Sequence, residues 1–316
     1  MTEEKENLAG EAEEKTTEKE MYAVESALFP SAEEEAGTDP GAESAQETGN
    51  ASGPGAEPEE PEEGPSGAKR REDDPLQRQI DALRAEQRRL VLNNLKAMID
   101  HTLLKQTATK EEIDALCDEA VAYGFRTVCV QPVYVRECCG RLRNHPDIRI
   151  ACVVGFPMGE NAVETKVYET KRALKDGADE IDAVLCISAV KNGDYRYIKK
   201  EVRSLVRAAG EHPVKIILEA SLLTDEELRK TAEIVCACKA AFLKTGTGYF
   251  GGGATLEQVS VLREVSSGRA EVKASGGIRT AKQMRELVDA GASRIGTSSG
   301  PAIVEELKAE FFPPEN

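Results

Sequence analysis

From about residue 97 onward, short apolar runs alternate regularly with longer amphipathic stretches. Eight runs have the length and β-branched content of strands: 97–101, 127–131, 149–155, 180–185, 215–220, 240–245, 271–275 and 294–298. This alternation indicates βαβ units and a parallel sheet. Eight units match the size and order of a (β/α)8 TIM barrel. The alternative is a doubly wound open sheet, which usually has a Gly-rich turn after its first strand, where this chain has HTLLKQT.

Capping motifs mark the helices between these strands. In a capping box, a Thr and a Glu or Gln three residues later satisfy free backbone N–H groups at the start of a helix. Four predicted helices begin in this way, at Thr109, Thr224, Thr255 and Thr280, and Asn161 begins a weaker version of the motif. Glycines follow the helical stretches at positions 124, 177, 210 and 291, where the chain must turn back into the next strand.

The acidity of the chain is confined to its first fifth. The 316 residues have a net charge of −16, yet residues 1–68 alone contain 20 acidic and only 3 basic residues. The remainder is nearly neutral, so we expect no nucleic-acid partner, because no cation excess is available to displace counterions. Residues 1–72 are also rich in Glu, Gly, Ala, Pro and Ser, a composition that predicts a disordered acidic tail.

The organisation of the chain follows from these features. We predict a disordered tail over 1–72, a helix or linker over 73–96 and a barrel domain over 97–316. Residues 21–30 carry the only aromatics of the tail and could form a docking motif, although a solvated segment is favoured. The linking helix either packs on the domain or extends an interface.

The sequence gives no sign of export or of a membrane segment. No apolar run reaches the length of a membrane-spanning helix, and the acidic N-terminus resembles neither a secretory signal nor a transit peptide. We therefore expect a cytoplasmic protein with no membrane partner, whose eight cysteines are reduced thiols. We predict no metal site, because there is no CxxC pair and the three histidines are scattered along the chain.

Two neighbouring predicted strands carry a lysine among apolar residues. Lys244 lies in FLKTGTG and Lys273 lies in VKASGG. Burial disfavours the charged form of an amine and would lower the pKa of Lys244. A second ammonium nearby, that of Lys273, would lower this pKa further. A neutral amine can form a Schiff base with a carbonyl group. Each lysine alone is better explained by a side chain that reaches water, but two at equivalent positions in a barrel favour a catalytic site.

Carboxylates on other strands could complete this site. Glu180 and Asp182 share one face of the fourth strand, and Asp182 lies further toward the carboxyl end. Asp182 is either a general acid–base or the ion-pair partner of a buried lysine, and both interpretations stay open. Asp100 in the first strand and Glu219 after the fifth strand are further candidates.

Turns after strands six to eight predict a phosphate site. Their sequences are Gly246-Thr247-Gly248, Gly276-Gly277 and Ser298-Ser299-Gly300. Glycine lets backbone N–H groups approach an anion, and the N-terminus of the following helix adds a favourable dipole. Barrels often bind phosphate with the loops after strands seven and eight, and Pro301 suits the first turn of the last helix.

In chain order, a series of motifs resembles the deoxyribose-phosphate aldolases, which are class I (Schiff-base) aldolases. The resemblance covers roughly residues 95–305 and is carried by IDHTLL, VVGFPMG, ETKVYE, GADEID, NGDY, LLTDEEL, FLKTGTG, VKASGGIRT and RIGTSSG. It implies a (β/α)8 barrel that needs no cofactor or metal. It also implies reversible cleavage of 2-deoxy-D-ribose 5-phosphate to acetaldehyde and D-glyceraldehyde 3-phosphate, in deoxyribonucleotide catabolism. A homodimer is common in the family.

The resemblance also implies roles for individual residues. Lys244 would form the Schiff base, Lys273 would lower its pKa, Asp182 would transfer protons and Asp100 would belong to the hydrogen-bond network. The implied phosphate contacts are Gly248, Gly276, Gly277, Ser298 and Ser299.

The chain departs from the family pattern at several positions. Gly246 replaces a Ser, Gln131 replaces an Asn, a Cys after strand five is absent, and the phosphate loop reads YFGGGAT. These departures bear on rate and substrate preference more than on reaction class. The alternatives are another phosphate-sugar aldolase or isomerase on the same barrel, or an inert barrel whose tail binds a partner.

Overall fold

Residues 75–313 are described by a computed structural model, in which eight parallel strands close into a barrel. Each strand pairs with the next one in chain order, and the eighth pairs with the first. The strands are β1 (Ile99–Leu103), β2 (Thr127–Val130), β3 (Arg149–Val154), β4 (Glu180–Val184), β5 (Val214–Ile217), β6 (Phe242–Lys244), β7 (Glu271–Ser275) and β8 (Arg294–Thr297). The predicted (β/α)8 barrel is confirmed, and an open doubly wound sheet is excluded because the barrel has no edge strands.

Helices precede the barrel and connect its strands. They are α1 (Pro75–Ala97), α2 (Lys110–Tyr123), α3 (Val135–Leu142), α4 (Val163–Asp176), α5 (Ile187–Lys191), α6 (Tyr195–Ala209), α7 (Asp225–Ala237), α8 (Leu256–Ser266), α9 (Ala281–Asp289) and α10 (Gly300–Phe311). The first strand begins two residues later than predicted, because α1 continues to Ala97. The chain separates into two units, 1–84 and 85–316, and the barrel belongs wholly to the second. The predicted tail and its possible docking motif lie outside the described residues.

The four predicted capping boxes are all present, with both side-chain bonds made. They begin α2, α7, α8 and α9 at Thr109, Thr224, Thr255 and Thr280. The weaker prediction at Asn161 is wrong. Helix α4 begins after Ala162, so Asn161 lies one residue too early, and its side chain makes no capping bond. Gly124 and Gly177 end α2 and α4 in the left-handed conformation that glycine adopts without strain.

The apolar core lies mainly between the strands and the surrounding helices. Strand residues such as Ile150 and Ile216 point outward and belong to the same buried cluster as Ile198 and Leu307 of the helices. Inside the barrel lies a small apolar cluster formed by Leu104, Cys129, Ala151 and Val153. All eight cysteines are free thiols, as predicted. Over residues 75–313, no helix is both long enough and apolar enough to cross a bilayer.

Candidate active site

Much of the remaining barrel interior is charged. Seven buried side chains from six strands are joined there by ion pairs: Asp100, Glu180, Asp182, Lys215, Lys244, Lys273 and Arg294. None of them is more than 7% exposed. They point inward because alternate residues of a strand face opposite sides, while their strand neighbours pack against the helices. Arg149, which is partly exposed, approaches Glu180 at 3.6 Å.

Asp182 of β4 is the centre of this charged cluster. Its Oδ2 atom accepts hydrogen bonds from Lys244 Nζ and Lys273 Nζ, each at 2.8 Å. Its Oδ1 atom accepts from Lys215 Nζ at 2.9 Å. Lys244 and Lys273 occupy paired positions on β6 and β7. The two amines share one oxygen, so they lie next to each other, and the structure brings together the three side chains on which the predicted chemistry depends.

Lys273 is held between two carboxylates, Asp100 and Asp182. Burial alone would lower the pKa of Lys273, but the two negative charges outweigh it and raise that pKa above its usual value. Burial alone would also raise the pKa of Asp182, whereas the charges of Lys215, Lys244 and Lys273 hold it well below its usual range. The two carboxylates therefore favour the ammonium form of Lys273, the form predicted for it beside Lys244.

Charge is unevenly shared within the cluster. It contains three carboxylates and four basic side chains, so it has one positive charge in excess when all seven are ionised. Lys215, Lys273 and Arg294 each contact two carboxylates. Among the described residues, Asp182 is the one carboxylate that Lys244 contacts. Lys244 therefore has the fewest carboxylate partners of the four bases, and with a neutral amine at this position the cluster would have no net charge.

Two members of the cluster, Lys215 and Arg294, were not predicted from the sequence. A charged residue within an apolar strand was the signal used for Lys244, and VKIIL and SRIGT carry the same signal. These two residues lie near the amino ends of their strands. A charged side chain near the amino end of a strand usually points into solvent. Both side chains are instead buried among carboxylates of the barrel interior.

Glycine-rich turns after β6 and β7 pack against each other at the carboxyl end of the barrel, which we call the mouth. Gly248, Gly276 and Gly277 have φ angles of 82°, 101° and 75°, which favour glycine. A Cβ atom on Gly276 would lie 3.4 Å from the Cα atom of Gly248. Ala254 N donates to Gly276 O at 3.0 Å. The predicted phosphate glycines therefore form one surface made of backbone.

The third predicted turn leads into helix α10. Ser299 N donates to Thr297 Oγ1 at 2.9 Å, and the Ser299 side chain makes no capping bond. Pro301 lies in the first turn, as predicted, and Ser298 is exposed. The N-terminus of α10 therefore opens at the mouth beside two serines, an arrangement that suits an anion. In residues 75–313, no group of three or more His, Cys, Asp or Glu is placed to hold a metal ion.

Glu219 explains the glycine at position 246. Its carboxylate accepts from Thr247 N at 3.1 Å and fixes the turn after Lys244. A Cβ atom on Gly246 would lie only 2.8 Å from Glu219 Oε1. Glu219 also lines a mostly apolar cavity of about 470 Å³ beside the mouth, together with Met158, Ile187 and Phe250.

The substitution at position 131 has a different structural consequence. Gln131 Nε2 and Tyr249 OH both donate to Leu104 O, at 3.1 and 2.9 Å. They tie the loops after β2 and β6 to the end of β1. The longer side chain at position 131 thus helps to shape one side of the mouth.

A closed eight-stranded barrel with a buried lysine–carboxylate cluster beneath its mouth defines a (β/α)8-barrel enzyme. Residues 95–305 match the model of the DeoC/LacD family of aldolases. The chain belongs to this family.

Relatives agree with the family match across nearly their whole length. The chain is 46% identical over 212 residues to a deoxyribose-phosphate aldolase of Staphylococcus carnosus, covering 67% of this chain and 96% of the relative. It is 49% identical over 222 residues to that of Caldanaerobacter subterraneus, covering 69% and 96%. Among solved structures, the tetrameric deoxyribose phosphate aldolase of Aeropyrum pernix superposes with a TM-score of 0.64 at 33% identity, covering 72% of this chain and 97% of that one.

Proposed function

We propose that this chain cleaves 2-deoxy-D-ribose 5-phosphate reversibly to acetaldehyde and D-glyceraldehyde 3-phosphate through a Schiff base on Lys244. One observation carries this proposal. Lys244 is the base of the buried cluster with a single carboxylate partner, and it lies beside an ammonium that two carboxylates hold protonated. A like charge nearby disfavours the charged form of an amine, and a neutral amine is the form that attacks a carbonyl.

The bond changes follow from the two products. The Lys244 amine adds to the C1 aldehyde of the sugar and water is lost, which gives an iminium ion. The bond between C2 and C3 then breaks, and its electron pair moves into the C–N unit to form an enamine. The C3 hydroxyl gives up its proton, so that C3 becomes the aldehyde carbon of glyceraldehyde 3-phosphate. Protonation of the enamine at C2 and hydrolysis release acetaldehyde and restore the amine.

Asp182 and Lys273 are the groups proposed to move these protons. Asp182 Oδ2 contacts both lysine nitrogens, so one carboxylate links the reacting amine to the neighbouring ammonium. General acid–base assistance of this kind contributes about 10²- to 10⁴-fold to a rate. Asp100 contacts Lys273 and Arg294, and in this proposal it orients Lys273.

The phosphate of the substrate is proposed to bind at the Gly248, Gly276 and Gly277 backbone and at the start of α10. Left-handed glycines and an uncapped helix N-terminus support this placement. Ser298 and Ser299 would add hydroxyl donors. The lysine cluster lies inside the barrel beneath this surface, so a substrate bound at the mouth would extend its aldehyde toward Lys244.

The test combines turnover with chemical trapping. The chain should cleave the deoxy sugar phosphate at an undiminished rate in the presence of a chelator. Borohydride added with substrate should fix a mass label on the peptide that contains Lys244. Lys244→Arg should abolish turnover, because a guanidinium stays charged and cannot form the adduct. A label on a different residue would overturn the assignment, and selective cleavage of another sugar phosphate would favour the alternative aldolase.

The assembly, location and pathway are also proposals. We propose a homo-oligomer, and the resemblance to the family implies a dimer. The Aeropyrum pernix aldolase is a tetramer, and sedimentation analysis of the full chain distinguishes the two. A cytoplasmic location and a role in deoxyribonucleotide catabolism are consistent with this substrate.

A further inference from the structure

Lys215 of β5 lies one layer below Lys244 in the barrel. It is paired with Asp182 on β4 and with Phe242 on β6, two residues before Lys244. Its Nζ atom lies 5.6 Å from the centre of the Phe242 ring, and the side chain is fully buried. Since all the strands run toward the mouth, a substrate that enters there meets Lys244 first. Lys215 therefore acts on the reaction only through other residues.

The two oxygens of Asp182 are divided between cations on different levels. Oδ1 accepts from Lys215, which also donates to Glu180. Oδ2 accepts from Lys244 and Lys273. Arg294 contacts Asp100 and Glu180 and makes no contact with Asp182. Within the described part of the chain, Lys215 is the cation that binds the Asp182 oxygen left unused by Lys244.

The binding of different cations by the two Asp182 oxygens removes an electrostatic problem at Lys244, the proposed reacting amine. A carboxylate that orients an amine also attracts a proton onto it, and an uncompensated Asp182 would therefore keep Lys244 as an unreactive ammonium. A fixed positive charge on the other oxygen offsets that attraction without competing for the site of attack. In a buried site such charges act strongly, because solvent screens them weakly.

We propose that Lys215 is a positioning residue that compensates the charge of Asp182 from below, so that Asp182 orients the Lys244 amine without keeping it protonated. The inference rests on the proposed Schiff-base function of Lys244. The other buried titratable groups of the barrel interior and its mouth are Asp100, Cys129, Glu180, Asp182, Glu219, Lys273 and Arg294.

The test follows the protonation of Lys244 in the full-length chain. With acetaldehyde as the probe, borohydride trapping at Lys244 is measured after a fixed time between pH 6 and pH 10. In Lys215→Met, the midpoint of this profile should move upward by about one to two pH units, because a positive charge has been removed. Trapping at pH 7 should fall about ten- to a hundredfold and should recover at high pH. Lys215→Arg, which keeps the charge, should restore the midpoint.

Lys166→Met is the matched control. Lys166 is an equally buried lysine, but it lies outside the barrel interior and pairs with Glu201. The Lys166→Met variant should leave the midpoint of the trapping profile unchanged. If Lys215→Met does not fold, the double variant Glu180→Gln/Lys215→Met removes one charge of each sign. Its midpoint should still move upward, by less than in the single variant, because Lys215 is the one of the two that contacts Asp182.

The outcomes separate this inference from the proposed function. If Lys244 is trapped in every variant but the midpoint stays at its wild-type value, the role of Lys215 is wrong and the Schiff-base function stands. A loss of trapping that is equal at every pH would also contradict the inference. If wild-type Lys244 is never trapped, the proposed function itself fails.

Discussion

Two regions of this molecule bury lysines against carboxylates, and they differ in how completely each lysine is satisfied. Lys166 of α4 donates to Glu201, to Gly159 O and to Val184 O, so all three of its donors are used. Lys244 donates to one oxygen of Asp182. A buried charge is therefore not in itself a mark of catalysis. An amine with few partners, in a cluster with excess charge, is the feature that distinguishes the barrel interior.

The Lys166 site has a structural role. The lysine ties the turn after β3 to the end of β4, and Glu201 also accepts from Cys186 N at 3.2 Å. The charges of Lys166 and Glu201 balance each other, and the other two N–H donors of Lys166 bind backbone carbonyl oxygens. Such a pair has no group available for a reactant, although it holds two loops near the mouth.

The largest expected difference between the two regions is in activity. Asp182→Asn should lower kcat/KM for aldol cleavage by about 10²- to 10⁴-fold, because the carboxylate that links the two lysines loses its charge. Glu201→Gln, which makes the corresponding change at the Lys166 site, should leave kcat within about threefold. Steady-state assays on both variants measure the difference. Equal losses would show that the two regions are not functionally distinct.

Much of this arrangement could be predicted from the sequence, because barrel register is set by local patterns. Alternation of apolar runs fixed the eight strands, and Thr residues fixed four helix starts. Once the strands are placed, Lys244 and Lys273 must be neighbours, since they occupy the same position on adjacent strands. Asp182 faces inward by the same alternation that buries Ile181 outside.

The rest depended on contacts between distant parts of the chain. The pKa of Lys273 is raised because Asp100 and Asp182 converge on it from β1 and β4, and no sequence spacing reveals that convergence. Lys215 and Arg294 were missed because a charge near the amino end of a strand usually faces water. Gly246 was predicted as part of a phosphate turn and as a departure from the family, whereas the structure relates it to the position of Glu219.

A second difference between the regions should appear in stability. Lys166→Met should reduce the free energy of unfolding by about 3–5 kcal/mol, because Glu201 is left buried without its cation. The double variant Lys166→Met/Glu201→Leu removes both charges and should recover most of this loss. Denaturant unfolding measures both variants. If the double variant is as unstable as the single one, backbone contacts of Lys166 dominate, and the pair is not the stabilising unit.

The smallest effect concerns the turn that carries the barrel site toward the mouth. Gly246→Ala places a methyl group 2.8 Å from Glu219 Oε1, so the carboxylate must shift and its bond to Thr247 N weakens. We expect a loss of about 1 kcal/mol in the free energy of unfolding and a small rise in KM. Gly140→Ala is the control, because a Cβ atom there meets no atom within 4 Å and alanine favours the helix. If Gly246→Ala is as stable as this control, the Glu219 carboxylate moves aside without loss of stability. The mouth is then less rigid than the Lys166 site, where every donor of the lysine is bound.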